Sequence, residues 1–246
     1  MTGPRWRLLV VCLAAAAVIA AVWAVTRADD DEPAAGPVPS SSTTSTTSPE
    51  PTDPPTTAPT TTSSTAVDAA VINPSDRFST APGGSAVVGS GPLRTYVVEV
   101  EDGIPIDPAD FAAAVDATLA DPRGWTSPGD VSLQRVGPDG SPSFRVRLAT
   151  PATVDAHCRP LDTAGIYSCR QGADVMINLM RWSDGATESH LSLDDYRHYV
   201  ISHEVGHALG HGHVGCPAQG AVAPVMMQQT KGLDGCAPNP WPYPDQ

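Results

Sequence analysis

The stretch from His203 to His213 reads His-Glu-Val-Gly-His-Ala-Leu-Gly-His-Gly-His, placing four imidazoles, one carboxylate and three glycines in one run. His203 and His207 are four residues apart, so on a helix their rings share one face, one turn apart. Both can then reach a single ion at the ~2.0–2.1 Å of a zinc–nitrogen bond. Glu204 projects a little further round, beside such an ion rather than onto it. There its carboxylate can take a proton from a water and later deliver it to a leaving group. Zinc in that position lowers the pKa of water toward neutrality and polarises a carbonyl. A third ligand must come from outside the pair. No glutamate follows Glu204, and the downstream aspartates are Asp234 and Asp245. Asp234 stands as one alternative. His213 is the better placed, because Gly210 can end the helix and Gly212 can permit a tight return. Three imidazoles leave the fourth position open, as a catalytic zinc requires; a structural zinc would be closed by four protein ligands. His211 is read as a surface side chain, and His157, His190 and His198 have no spacing that suggests ligation.

The elements that hold this run can be read from its surroundings. Ser192 is a helix N-cap with Asp195 as its capping partner, and the helix runs on to Gly210. Tyr196, Tyr199, Val200, His203 and His207 form one stripe, with Ile201, Val205, Ala208 and Leu209 on the other side. A helix apolar on both sides is a buried one, so its histidines and glutamate need partners. Upstream, Leu93–Glu101 alternates as a strand does. Asp107 and Pro108 then open a helix that carries Phe111, Val115 and Leu119 on one stripe. Residues 130–136 and 143–149 read as strands around a Pro138-Asp139-Gly140 turn, and residues 173–182 as a further strand, central or near-central. The pattern predicts an α+β domain: a small mixed sheet plus two main helices.

The rest of the chain bounds where this domain works. Arg5 and Arg7 precede an uncharged apolar run from Leu8 to Val25, and Asp29, Asp30, Asp31 and Glu32 follow it. Residues 1–28 are therefore expected to be a single-pass membrane anchor with the remainder outside the cytoplasm; secretion after signal cleavage is the alternative. Residues 29–70 form a Pro/Ser/Thr-rich, solvated linker, and residues 71–246 suffice for one domain. Cys158, Cys169, Cys216 and Cys236 lie outside the apolar run that holds Cys12. They suit two disulfides in an oxidising compartment, and sequence order suggests 158 with 169 and 216 with 236. Other pairings remain open, as does a four-cysteine zinc site, although no C-x-x-C spacing is present. A net charge of −13, from 27 Asp+Glu against 14 Lys+Arg, argues against nucleic acid as a partner. The proline-rich end, residues 236–246, is expected to lie extended over the domain, pinned by Trp241.

The eleven-residue run matches the extended H-E-x-x-H-x-x-G-x-x-H motif of the metzincin metallopeptidases, and Gly206 and Gly212 make it most similar to the matrixin variant. The resemblance implies a zincin-like fold, zinc held by His203, His207 and His213, Glu204 as general base, and a protein or peptide substrate. It also implies a methionine in a tight turn beneath the metal; Met226 aligns best, with Met227 the other choice. Gln228 stands where the astacin and serralysin branches carry a tyrosine. Oxyanion stabilisation would then fall to the metal, a backbone N–H or another side chain. From about Gly91 to Pro244 the chain also resembles an uncharacterised bacterial family of envelope-anchored proteins carrying VEVEDG, LADPRGW and NPWPYP around the same motif. That family brings no assigned substrate. The expected activity is zinc-dependent peptide hydrolysis; a zinc amidase on cell-wall peptides and an inactive binding module are the alternatives.

Overall fold

The computed structural model describes Ala69 and residues 72–246, so the expected anchor at 1–28, and the linker at 29–70 but for Ala69, lie outside the described residues. Among the described residues no helix is long and apolar enough to cross a membrane. The elements in chain order are β1 (Phe78–Thr80), β2 (Val88–Gly89), β3 (Leu93–Glu101), α1 (Pro108–Ala120), β4 (Ser132–Arg135) and β5 (Phe144–Ala149). Then follow α2 (Pro151–His157), β6 (Cys169–Gln171), β7 (Asp174–Asn178), α3 (Leu179–Asp184) and α4 (Leu193–Ala208).

The strands form one mixed sheet in the order β2-β4-β3-β5-β7-β6, with β1 also paired to β3. Strands β4, β3, β5 and β7 are mutually parallel, while β1, β2 and β6 join antiparallel. The fold is therefore α+β, as expected. The sheet has seven strands, larger than the small one the sequence suggested, because β1, β2 and β6 are too short to show a period-two pattern.

Alternation along the strands separates two cores. Val98, Val100, Val146, Leu148, Val175 and Ile177 face α1 and α4 in the main cluster. Met176 and Ala149 point the other way, against Val154 of α2 and the Cys158 and Cys169 sulfurs. Burying each large apolar side chain contributes about 1.5–3 kcal/mol, so the doubly covered sheet gives α4 a rigid floor. Helix α1 begins as its sequence dictates, with Asp107 accepting from Ala109 N–H and Pro108 at the first turn.

The reading of residues 173–182 as one strand is corrected. The strand stops at Asn178, whose side chain accepts from Met180 N–H at 3.0 Å and caps α3. Leu179 and Trp182 keep the segment apolar by packing from a helix instead of a strand. The ring of Trp182 meets Phe111 of α1 edge-on, with centroids 4.9 Å apart.

Candidate metal centre

Helix α4 starts and stops where its sequence says. The Ser192 hydroxyl accepts from Asp195 N–H and donates to the Asp195 carboxylate. At the other end Gly210 takes φ +101°. His211 N–H then reaches back to Gly206 O and Gly210 N–H to His207 O, the paired bonds of a Schellman ending. Gly212, by contrast, has no positive φ, so the chain's return toward the helix does not use its freedom.

That return brings His213 onto His203 and His207. The Nε2 atoms of His203 and His213 lie 3.2 Å apart, and those of His207 and His213 lie 3.0 Å apart. Among the described residues these three form the group whose ligand atoms converge closely enough to hold a metal ion. Asp234, the alternative third ligand, is exposed and does not join them.

The far side of each helical ring shows which nitrogens are left to hold a cation. His203 Nδ1 donates to Val225 O at 2.8 Å, and His207 Nδ1 donates to His211 O at 2.8 Å. Carbonyl acceptors fix the N–H on Nδ1, which leaves Nε2 of both rings as bare lone pairs. A single N–H on His213 Nε2 could serve at most one of them. Burial also disfavours charge on the rings: desolvation pushes His203 down to about 3 and lowers His207 and His213. Three converging imidazoles whose charged form burial disfavours, two of them with tautomers set by carbonyls, are a donor set that fits a divalent transition metal.

Glu204 sits on the next position of α4, 6 % exposed, and its Oε2 has no hydrogen-bond partner among the described residues. Desolvation raises its pKa to about 8, since nothing in its surroundings compensates the charge. A cation held by the adjacent histidines would draw it down again.

The segment after His213 is folded under α4. Met227 N–H closes a turn onto Pro224 O, which places Met226 in a tight turn. Met226 belongs to the main core, whereas Met227 packs in a separate cluster with Ala223 and Cys236. A Cβ on Gly206 would lie 2.5 Å from Met226 Sδ and 2.6 Å from Trp125 Cζ2. Gly206 is thus required for close approach and not for its backbone angle. Val225 O orients His203 while Met226 O accepts from Val214 N–H, so one turn anchors both the helical ligand and the returning segment.

Several contributors have no signal in residue spacing. Trp125 donates from Nε1 to Ser202 O at 2.8 Å and stacks on His211 at 4.2 Å, so the exposed His211 ring is a packing group. The His211 carbonyl does the orienting work for His207. The Tyr199 hydroxyl donates to Met227 O and accepts from Gln229 N–H, and Tyr196 bonds Thr230, so both tyrosines tie α4 to the turn.

A cleft opens beside the histidines. Its walls include Thr163, Tyr167 and Arg170 on one stretch, Gln228 and Lys231 on another. Strand β6 is the end of the sheet on this side, and among the described residues no strand pairs with its outer edge. The expected disulfides are both present. Cys158–Cys169 ties β6 to the end of α2, and Cys216–Cys236 ties the stretch after His213 to the C-terminal segment. The four-cysteine zinc alternative is thereby replaced by two covalent staples on the site's margins. Trp241 is buried, under the Arg123 guanidinium at 4.1 Å, as the pinned tail requires.

Residues 68–244 match a family described as a protein of unknown function (DUF3152). No curated protein and no solved structure matches the chain.

Proposed function

We propose that this chain, which belongs to the DUF3152 family over residues 68–244, is a zinc-dependent metallopeptidase of zincin-like fold acting outside the cytoplasm. The reading rests on one observation: three imidazole Nε2 atoms converge, two with their tautomers set by carbonyls, next to a buried carboxylate whose Oε2 has no partner among the described residues. A zinc ion held by His203, His207 and His213 would supply a Lewis acid that polarises a carbonyl and acidifies water. The chain's own part is proton handling. Glu204 Oε2 accepts the proton of the attacking water and returns it to the departing amine; burial raises its proton affinity and the adjacent cation lowers it, the two effects opposing each other. Tyr199 cannot share this task, because both roles of its hydroxyl are taken by Met227 and Gln229. An extended peptide suits the cleft, since the free edge of β6 offers backbone groups for strand addition. Two disulfides fit an oxidising compartment.

The test is casein hydrolysis by the zinc-loaded chain. Glu204→Gln is expected to keep the metal and lower the rate by about 10²–10⁴-fold, the usual worth of a general base. A zinc-loaded wild-type chain that cleaves neither casein nor cell-wall peptides would instead favour a binding module.

A further inference from the structure

Charge is distributed unevenly around the cleft. The described residues hold eleven cationic side chains. Arg77, Arg123, Arg135, Arg145, Arg147 and Arg197 pair with carboxylates. Arg181 donates to two backbone carbonyls. Among the remaining four, Arg170 and Lys231 both line the cleft at the histidines. Neither has a carboxylate partner among the described residues, in a chain whose net charge is −13. Arg170 is exposed on β6, the edge strand, and Lys231 is exposed at the end of the 3-10 turn Gln229–Lys231. Lys231 Nζ lies 4.9 Å from the Tyr167 ring centroid, so its ammonium is held at the cleft wall rather than trailing into solvent.

The acidic groups in the same cleft form no ion pair with them among the described residues. Glu204 is buried on the helix, and Asp162 accepts from Ala164 N–H within its own loop.

We propose that Arg170 and Lys231 make the cleft selective for peptide segments carrying a carboxylate close to the histidine triad. The proposal rests on the reading of the cleft as a peptide site. A guanidinium on the edge strand can grip a carboxylate through two parallel N–H bonds while the ammonium contributes as a point charge. The carboxylate could be an acidic side chain or a free C-terminus, and the experiment separates the two.

Three fluorescein-labelled eight-residue peptides are titrated by anisotropy with the full chain, in chelator so that no cleavage occurs. One has a central Gln and blocked ends, one a central Glu and blocked ends, and one a central Gln with a free C-terminal carboxylate. At least one carboxylate peptide is expected to bind about tenfold more tightly than the neutral one at low salt, as a charge-assisted contact provides. That gain should shrink toward one in the Arg170→Gln/Lys231→Gln double variant and with added salt. Which carboxylate gains identifies its source. Equal binding of all three, no binding of any, or a gain that survives the double variant overturns the proposal. Casein cleavage is scored separately on the zinc-loaded chain. Selective binding without cleavage leaves the carboxylate site standing and removes the peptidase reading; cleavage without selectivity does the reverse.

Discussion

At the residue scale the centre is a problem of proton placement. His203 and His207 can present lone pairs only because Val225 O and His211 O hold their other nitrogens. The ligand spacing was readable from the sequence, since three- and four-residue steps on a helix fix which rings meet. The carbonyls were not, because which backbone oxygen reaches a ring depends on how distant segments return. Gly206 illustrates the same division. It reads as a motif glycine, yet its need comes from Trp125 and Met226, which occupy the space a Cβ would take. Gly206→Ala should gain about 1 kcal/mol of helix propensity and lose about 1–3 kcal/mol to overpacking, for the Trp125 ring is held by Ser202 and His211. A net fall in thermal midpoint is expected; a rise would show that the turn beneath α4 is looser than the contacts imply.

At the element scale, long periodic segments were legible and short ones were not. Leu93–Glu101, α1 and α4 announce themselves through caps and stripes, whereas the change from β7 to α3 at Asn178 leaves an unbroken apolar run in the sequence. The VEVEDG stretch gains a physical meaning here. Glu101, 1 % exposed at the end of β3, accepts from the backbone N–H groups of Ser75, Asp76 and Thr150 and from the hydroxyls of Thr150 and Thr153. It thereby joins the N-terminal segment, the central strand and the start of α2. Burial alone would raise its pKa, but the Thr153 hydroxyl and the three backbone donors outweigh that and hold it below the ordinary carboxylate range. A depressed folded-state pKa gives stability that is present above the unfolded value of 4.5 and is lost as pH falls through the folded one. Glu101→Gln should therefore cost on the order of 3 kcal/mol at neutral pH. In urea unfolding the gap to wild type should narrow as the pH drops below the carboxylate range; a constant gap would contradict the assignment.

At the scale of the whole molecule, the site is a seam where distant parts of the chain are locked together. The sheet supports α4, the Cys216–Cys236 bridge fixes the segment that follows His213, and the Asn239–Gln229 backbone and side-chain bonds seat the tail beside the turn. Sequence order anticipated the disulfide pairs, and the prolines and Trp241 anticipated the tail. The cationic cleft was invisible because Arg170 and Lys231 are far apart in sequence and meet only in the fold. All of this arrangement converges on the claim that three imidazoles form one metal site. Calorimetric titration of the metal-free chain with zinc tests it most directly. One zinc per chain is expected, with the released proton coming from Glu204, whose burial-raised pKa the cation draws down, rather than from the imidazoles, whose charged form burial already disfavours. His213→Ala should weaken binding by at least about tenfold, the loss of one ligand being worth more than 1.4 kcal/mol. Unchanged zinc affinity in His213→Ala, or no binding by the wild-type chain, would contradict the account.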